Sequence, residues 1–333
     1  MSVLVLGGAG YIVSHATYQL IDQKEDVIVV DNLETGYRDA IHPNARFYQG
    51  DCRNIDFLRD VFAKEPIDSV IHFAANSLVG ESMENPLKYY DNNVHGTQVL
   101  LQVMVENDVK FIVFSSTAAT YGEADTIPIT EEVAPNPTNT YGDTKLTMEK
   151  MMKWSSQAHD INYVSLRYFN VAGARESGEI GEAHNPETHL IPIILQVALK
   201  QREHISIFGD DYNTSDGTCV RDYIHVEDLI NAHILALDYL KDGGSSDIFN
   251  LGSSQGFSVK EMVEAVKAVT GEEIPVKIEE RRIGDPGTLI ASSQKAKDLL
   301  NWNPTRTSIN KIIQDAWNWH QSHPNGYEDV KSL

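Results

Sequence analysis

The stretch GGAGYIVSH, residues 7–15, follows directly on a run of four apolar residues. A strand, a glycine-rich turn and the start of a helix are typical of the opening of a dinucleotide-binding unit. In such a unit the glycines let the backbone approach a pyrophosphate, and the N–H groups at the helix N-terminus bind it. Gly7, Gly8 and Gly10 provide this turn, but Val13 stands where a third glycine is usual. The stretch therefore predicts a phosphate-binding turn with an added side chain where the helix packs on the strand.

Short apolar runs alternate with helical periodicity up to about residue 170, which predicts a Rossmann-type α/β fold with a doubly wound parallel sheet. Later loops are longer and rich in Gly, Asn, Asp and Pro, which predicts a smaller, mixed α/β C-terminal substrate lobe. We expect a nucleotide-binding domain over residues 1–170 and a lobe over 171–333, with the chain crossing back between them. The predicted strands of the sheet are 2–6, 27–31, 46–49, 68–73, 111–115 and 162–167.

Two carboxylates follow strands at the predicted nucleotide-binding edge. Asp31 ends the second strand about 20 residues after the glycine turn, where a carboxylate accepts hydrogen bonds from a ribose 2′-OH. Because it would repel a 2′-phosphate, Asp31 favours NAD over NADP. Asp51 follows the third strand, and we expect it near the adenine. A plain βα turn is the alternative, and it is less favoured because Asp31 stands at the right spacing.

A second group of residues predicts proton transfer. Tyr141 and Lys145 are four residues apart on a predicted helix and therefore share one face. A lysine ammonium close to a phenol lowers the pKa of the phenol, which makes it a better base. Ser115, Ser116 and Thr117 end the fifth strand, where a hydroxyl group can bond a substrate oxygen. Tyr-x-x-x-Lys pairs also occur by chance on solvated helices, so the prediction rests on the whole set.

Composition excludes several classes of protein. The 333 residues carry a formal net charge of -21, and a strongly acidic surface repels the phosphates of nucleic acids. Two cysteines exclude a disulfide scaffold and fit a reducing compartment. With no apolar run long enough to span a bilayer and no basic, apolar leader, we expect a cytoplasmic protein that binds neither nucleic acid nor membrane.

The sequence resembles the extended short-chain dehydrogenase/reductases and, within them, the UDP-glucose (UDP-galactose) 4-epimerases. The resemblance runs from the first strand to about residue 327. The stretches that carry it are GGAGYI, VIHFAA, VGES, PLKYYDNNV, SSTAATYG, YGDTK, LRYFNVAGA, HLIPIILQVA, IFGDDYNTSDGTCVRDYIHVEDL, FNLGSSQGFSV and RRIGDP.

The resemblance implies interconversion of UDP-glucose and UDP-galactose by inversion at sugar C4, through a transient 4-keto sugar and with tightly bound NAD. It assigns NAD to residues 1–170 and the UDP-hexose mainly to 171–333, and it implies a homodimer. Catalysis falls to Tyr141, Lys145 and Thr117. The implied cofactor contacts are Gly7, Gly10, Tyr11, Ile12, Asp31, Asn32, Asp51, Cys52, Phe73, Ala74, Ala75, Asn93, Lys145 and Phe169. The implied substrate contacts are Thr117, Tyr141, Asn170, His189, Leu190, Phe208, Arg221, Arg282, Asp285 and Leu289.

Departures from the pattern leave two alternatives open. Val13, and Lys24 where a helix-ending glycine is common, fit a nucleotide-sugar-binding relative with weakened NAD binding and little activity. A 4,6-dehydratase is less favoured because Ala118 and Ala119 replace its usual Asp-Glu pair. Leu289, intermediate in size, leaves the acceptance of N-acetylated sugars undecided.

One further group of histidines and glutamates has the side chains of a metal site. His184 and His189 flank Asn185 and Pro186, with Glu182 and Glu187 near in sequence. Proline breaks the helical spacing that a two-histidine site would use, so a solvated loop without a metal is the favoured interpretation.

Overall fold

The computed structural model describes residues 2–282 and 286–328. The strands are β1 (Ser2–Leu6), β2 (Asp26–Asp31), β3 (Arg46–Gln49), β4 (Ile67–His72), β5 (Phe111–Thr117), β6 (Asn162–Tyr168), β7 (Asn170–Ala172), β8 (Ile205–Phe208), β9 (Val220–His225), β10 (Asp247–Leu251), β11 (Gly256–Ser258), β12 (Val276–Glu279) and β13 (Thr288–Leu289). The helices are α1 (Tyr11–Asp22), α2 (Ile55–Lys64), α3 (Val79–Glu84), α4 (Pro86–Tyr89), α5 (Gly96–Glu106), α6 (Thr140–His159), α7 (Leu190–Ala198), α8 (Val226–Lys241), α9 (Val259–Thr270), α10 (Gln294–Leu300) and α11 (Ile309–Ser322).

The central sheet has seven strands in the order β10-β6-β5-β4-β1-β2-β3. Every neighbouring pair is parallel. All five residues of β1 are buried, as expected for a strand covered by helices on both faces. The predicted doubly wound Rossmann-type fold is confirmed. The order in which successive strands are added to the sheet reverses between β1 and β4, and ligands of such folds bind at this point, beyond the carboxyl ends of the strands.

The edge strand β10 comes from the second half of the sequence. It pairs in parallel with β6, so the chain does return to the first sheet. Helix α8 likewise packs against α1, β5 and β6. The nucleotide-binding half is therefore completed by residues that follow position 220.

The rest of the second half forms smaller sheets. Strand β9 pairs in parallel with β7 and β13 and antiparallel with β11, while β8 and β12 form a parallel pair. Helices α7, α9 and α11 pack against one another around a separate apolar cluster. Within residues 2–282 and 286–328, no helix combines the length and apolar character needed to cross a membrane.

Helix α1 ends in a Schellman motif. The Glu25 N–H donates to the Leu20 carbonyl at 3.0 Å, and the Lys24 N–H donates to the Ile21 carbonyl at 2.9 Å. Lys24 has a φ of 68°, the left-handed conformation in which this motif usually has glycine. Lys24 therefore carries the backbone strain of a residue with a Cβ in the left-handed conformation.

Candidate active site

The glycine turn is pressed against the end of β4. Gly7 has a φ of 89°, and a Cβ at this position would stand 2.9 Å from both the N and Cα atoms of Ala74. The Ala74 N–H donates to the Leu6 carbonyl at 3.0 Å, which fixes the two segments together. A residue larger than glycine at position 7 would therefore be excluded by conformation and by space.

The N-terminus of α1 is open to an anion. Gly10 is the N-cap, and no side chain caps the first turn, to which Tyr11 and Ile12 belong. Uncapped N–H groups and the helix dipole favour a phosphate there, so this turn fits the pyrophosphate of a dinucleotide. The Tyr11 hydroxyl donates to the Gly173 carbonyl at 2.6 Å, which ties the turn to the segment after β7.

Val13 lies behind this turn in the apolar core. Its side chain is 7% exposed and belongs to the cluster that includes Val3, Val5 and Ala16. Its Cγ2 methyl is 3.8 Å from the position that a Cβ on Gly10 would occupy, an ordinary van der Waals separation. The added side chain therefore fills the contact between helix and sheet rather than the turn itself.

Asp31 ends β2 beside the glycine turn. Its carboxylate accepts hydrogen bonds from the Ala9 N–H at 2.9 Å and from the Leu33 N–H at 2.7 Å. Burial raises the pKa of Asp31, although these hydrogen bonds act in the opposite direction. Because each carboxylate oxygen can accept more than one hydrogen bond, Asp31 can still bind ribose hydroxyls. Asn32 lies next to it and reaches Asp51 at 3.5 Å.

Asp51 is held by an arginine that the sequence analysis missed. The Arg53 guanidinium donates to Asp51 at 2.6 Å and to Asp91 at 2.7 Å. Hydrogen bonding from Arg53 lowers the pKa of Asp51 to about 2. Cys52, between them in sequence, is buried, and burial raises the pKa of its thiol to about 12. The adjacent Asp-Cys-Arg sequence was the signal available for this pair.

Asn93 connects the segment after β4 to α6. It is fully buried in a π-helical turn, Tyr90–His95, and such turns are frequent at functional sites. Its amide accepts from the Asn76 N–H at 2.8 Å and donates to the Asn76 carbonyl at 3.1 Å and to Thr144 Oγ1 at 3.0 Å. Ala75 directly precedes Asn76 in the sequence.

The two phenylalanines proposed to contact the cofactor follow neighbouring parts of the sheet. Phe73 comes directly after β4 and stacks on the buried ring of His233, with 4.7 Å between ring centroids. Phe169 lies between β6 and β7. Both positions follow carboxyl ends of parallel strands, the edge at which the glycine turn also lies.

Helix α6 begins against the end of β5. The Asn139 side chain accepts a hydrogen bond from the Gly142 N–H at 2.8 Å and so caps the helix. A Cβ on Gly142 would stand 2.4 Å from the carbonyl oxygen of Ala119, so glycine allows this close approach. As a result Tyr141 lies close to Thr117, the last residue of β5, and an interaction with the Thr117 side chain acts to lower the pKa of the Tyr141 phenol.

Lys145 lies beneath Tyr141 on the same helix. Its buried ammonium donates to the Ser115 carbonyl at 2.9 Å and is 6.0 Å from the centroid of the Tyr141 ring. Burial lowers the pKa of Lys145 to about 7. Burial also raises the pKa of Tyr141, and Thr117 acts to lower it. Burial of both groups therefore acts against the lowering of the Tyr141 pKa by Lys145, which stays a prediction.

A cleft of about 680 Å³ lies in the second half of the chain. Its walls come from β7, β8, β9 and the start of α7. Six of the predicted substrate contacts line it, namely Asn170, His189, Leu190, Phe208, Arg221 and Arg282. The structure thus brings together residues spread over more than a hundred positions of sequence.

The two adjacent arginines face different partners. The Arg282 guanidinium lies 3.9 Å from the ring centroid of Phe208 and lines the cleft. Arg281 instead pairs with Asp211 at 2.5 Å and stacks on Tyr212. Arg282 is therefore the one available to a ligand in the cleft.

Two further predicted contacts complete the set. Leu289 on β13 pairs in register with Arg221 on β9, so it stands on the strand beside the cleft. Asp285 lies outside the described residues.

The cleft adjoins the Tyr141 site through the sheet. Thr117 is the register partner of Tyr168, the last residue of β6. Asn170, which lines the cleft, follows Tyr168 by two residues, a distance of roughly 7 Å along an extended chain. A ligand anchored in the cleft can therefore extend its far end towards Tyr141.

The chain is similar to known proteins over nearly its whole length. Residues 3–252 match the NAD dependent epimerase/dehydratase family. The chain is 59% identical over 331 residues to a UDP-glucose 4-epimerase of Streptococcus mutans, covering 99% of each chain. It resembles a crystal structure of a UDP-glucose 4-epimerase with a TM-score of 0.97 and 61% identity, over 98% of this chain and 99% of the other. A UDP-glucose 4-epimerase from Bifidobacterium longum, solved in complex with NAD⁺ and UDP, has a TM-score of 0.92 and 39% identity, over 98% and 100%.

Proposed function

Because the chain belongs to the NAD dependent epimerase/dehydratase family, we propose that it is an NAD-dependent UDP-glucose 4-epimerase. It interconverts UDP-glucose and UDP-galactose by inverting sugar C4 through a transient 4-keto sugar. The observation that carries this assignment is the position of Tyr141 beside Thr117, at the sheet edge that the glycine turn and Asp31 also occupy. The open α1 N-terminus and the Asp31 carboxylate fit NAD.

We assign the proton transfer to Tyr141. Its phenolate accepts the proton of the C4 hydroxyl as the 4-keto sugar forms, and the phenol returns a proton when the sugar is reduced on its other face. The Thr117 side chain acts to lower the pKa of Tyr141, which favours the phenolate. Lys145, fixed to the Ser115 carbonyl and 6.0 Å from the centroid of the Tyr141 ring, would hold the nicotinamide ribose when NAD is bound. When bound, NAD supplies the hydride acceptor and donor for C4.

Inversion requires that the sugar turn while the rest of the substrate stays bound. The cleft meets this requirement because its cationic and aromatic residues are separate from Tyr141. Arg221 and Arg282 are charge-assisted partners for a diphosphate, and Phe208 offers an apolar face. We therefore propose that UDP is anchored there and that the 4-keto sugar rotates about the pyrophosphate linkage.

The test is turnover of UDP-galactose, with the products separated by chromatography. The wild-type chain should form UDP-glucose, and Tyr141→Phe should lose most turnover, by about 10²- to 10⁴-fold, while UDP binding changes little. Tyr163→Phe is the matched control, since Tyr163 is a buried tyrosine near the opposite end of β6. Near-normal turnover in Tyr141→Phe would remove Tyr141 as the base.

The alternatives predict other results. A relative that has lost NAD would release little cofactor when the purified protein is denatured, whereas we expect close to one NAD for each chain. A 4,6-dehydratase would form a 4-keto-6-deoxy sugar. Ala118 and Ala119 form a short 3₁₀ turn directly after Thr117, so the positions of its acid-base pair hold methyl groups. The comparisons favour neither alternative.

A homodimer and a cytoplasmic location are also part of the proposal. Met83 on α3, Leu87 on α4 and Trp154 on α6 are exposed apolar side chains, and both α3 and α4 pack against α6, so we propose the outer face of these helices as the contact with a second copy. Leu87→Arg should shift sedimentation from dimer to monomer. Val276→Arg, at an exposed apolar residue on β12, should not. Cys52 and Cys219 are both buried, and two cysteines in a chain of 333 residues fit a reducing compartment.

A further inference from the structure

The segment between β7 and α7 gathers four metal-ligating side chains in one place. Glu182, His184, Glu187 and His189 each offer one ligand atom, and these atoms all lie within 4.8 Å of one another. From sequence alone these residues are interpreted as a solvated loop. The structure differs for the two carboxylates, because the side chains of Glu182 and Glu187 are only 5% and 4% exposed. Pro186 prevents a helix here, but the folded loop brings the four side chains together without helical spacing.

Four nitrogen–oxygen distances are close to the edge length of a tetrahedron around a metal ion. Glu182 Oε1 lies 3.2 Å from His184 Nδ1 and 2.9 Å from His189 Nδ1. Glu187 Oε2 lies 3.5 Å from His184 Nδ1, and Glu187 Oε1 lies 3.2 Å from His189 Nδ1. Bonds of about 2.0–2.2 Å to zinc require ligand atoms roughly 3.3–3.6 Å apart in tetrahedral geometry. Small movements of these side chains would therefore accommodate the ion.

Ion pairs alone account for only part of this arrangement. Each imidazolium Nδ1 carries one proton, so two histidines can donate to two of the four nitrogen–oxygen contacts. His184 Nδ1 is enclosed and has no hydrogen bond of acceptable geometry, although both carboxylates are within 3.5 Å. The two rings are 4.9 Å apart, so two positive charges would repel each other. One divalent cation would satisfy all four ligand atoms and balance both buried carboxylates.

We propose that Glu182, His184, Glu187 and His189 form a binding site for a divalent transition metal, with Zn²⁺ as the best fit. Two imidazoles and two carboxylates are ligands that zinc accepts, and four protein ligands indicate a structural rather than a catalytic site. The proposal is independent of the proposed epimerase activity.

The position of the site indicates what the metal would stabilise. His189 directly precedes α7 and lines the substrate cleft. The ring centroid of His184 is 6.2 Å from that of Tyr11, the first residue of α1. A bound ion would therefore fix the loop that separates the nucleotide turn from the substrate cleft.

The experiment uses the full chain after removal of metal with a chelator. Equilibrium dialysis against Zn²⁺, with metal measured by mass spectrometry, should give about one ion for each chain. Co²⁺ should give the visible absorption of a tetrahedral site. At a hundred times its dissociation constant, Zn²⁺ should raise the melting temperature by about 4 °C.

Variants separate this site from adventitious binding. His184→Gln and Glu182→Gln should each weaken Zn²⁺ binding at least tenfold, because even second-shell substitutions at metal sites have effects of about this size. His95→Gln is the matched control, since His95 also faces a carboxylate, Asp91, at 3.3 Å. Equal binding in His184→Gln and the wild type would overturn the proposal. If the variants fail to fold, the Co²⁺ spectrum of the wild type decides, and a spectrum without tetrahedral bands would refute it.

Discussion

Substitutions at Val13 test whether its side chain affects the stability of the chain or the binding of NAD. If the side chain added where α1 packs on the strand overpacked that contact, Val13→Gly would tighten NAD binding or raise the melting temperature. The structure gives a different expectation. The side chain is almost fully buried in the core cluster, and its nearest methyl group keeps an ordinary contact distance from the Gly10 position.

The magnitude follows from the atoms removed. Val13→Gly deletes three buried carbon atoms, worth about 0.8 kcal/mol each, or about 2.4 kcal/mol. In a helix interior glycine costs about 1 kcal/mol and valine about 0.6 kcal/mol relative to alanine, so the exchange adds about 0.4 kcal/mol. We therefore expect the free energy of unfolding of the cofactor-free chain to fall by about 2.8 kcal/mol. With an unfolding entropy of roughly 0.7 kcal/mol/K for a chain of this length, the melting temperature should fall by about 4 °C.

The assay compares urea unfolding of the cofactor-free chain with calorimetric titration of NAD. Val13→Ala is the intermediate variant, which removes two carbon atoms and keeps a good helix former, so its loss should be about 1 kcal/mol. We expect the NAD dissociation constant of Val13→Gly to stay within tenfold of the wild-type value. A variant that is more stable than the wild type, or that binds NAD a hundredfold more tightly, would refute the reasoning and restore the overpacking interpretation.

Lys24→Gly should stabilise the chain by about 0.5–1 kcal/mol in urea unfolding, because glycine adopts the left-handed conformation without strain, whereas Lys24→Ala should give no such gain. Arg282→Ala should weaken UDP binding in calorimetry at least tenfold through loss of a charge-assisted contact, and Arg281→Ala should leave it unchanged because Arg281 faces Asp211. Burial lowers the pKa of His233 to about 4, so between pH 7 and pH 5 the unfolded chain binds a proton that the folded chain does not. This residue should therefore cost roughly 2 kcal/mol of stability over that interval, and His233→Phe should lose correspondingly less on acidification.

The first six strands of the sheet could be predicted from the sequence because each is a short run rich in apolar residues, and four of them are followed by a helical pattern. β10 could not be assigned to that sheet in the same way. Its five residues follow a glycine-rich loop, and its partner β6 lies about 80 residues earlier in the chain. Periodicity identifies an element, but the choice of its neighbour depends on which edge of the sheet remains uncovered.

The parts of the site that depend on the spacing of residues in the local sequence could be predicted. The glycine turn, Asp31 and the Tyr141–Lys145 pair are set by local sequence and strand ends. The partners that orient them are not, because Arg53 and the Ser115 carbonyl act through contacts that only the folded chain creates. The effect of burial on the Tyr141 pKa could not be predicted for the same reason, since burial cannot be read from a four-residue spacing.

The two halves of the molecule depend on each other at the nucleotide turn. Tyr11 begins the helix that receives the pyrophosphate, yet its hydroxyl group is fixed by the Gly173 carbonyl, and Gln19 on the same helix donates to the Glu227 carbonyl at 2.9 Å. The orientation of α1 is therefore set partly by residues beyond the first six strands. Since the same segment after β7 also carries His189 to the substrate cleft, a shift of this segment would move the cofactor and substrate contacts together. In the proposed function, the loop between β7 and α7 would therefore link the position of the anchored UDP to that of the cofactor.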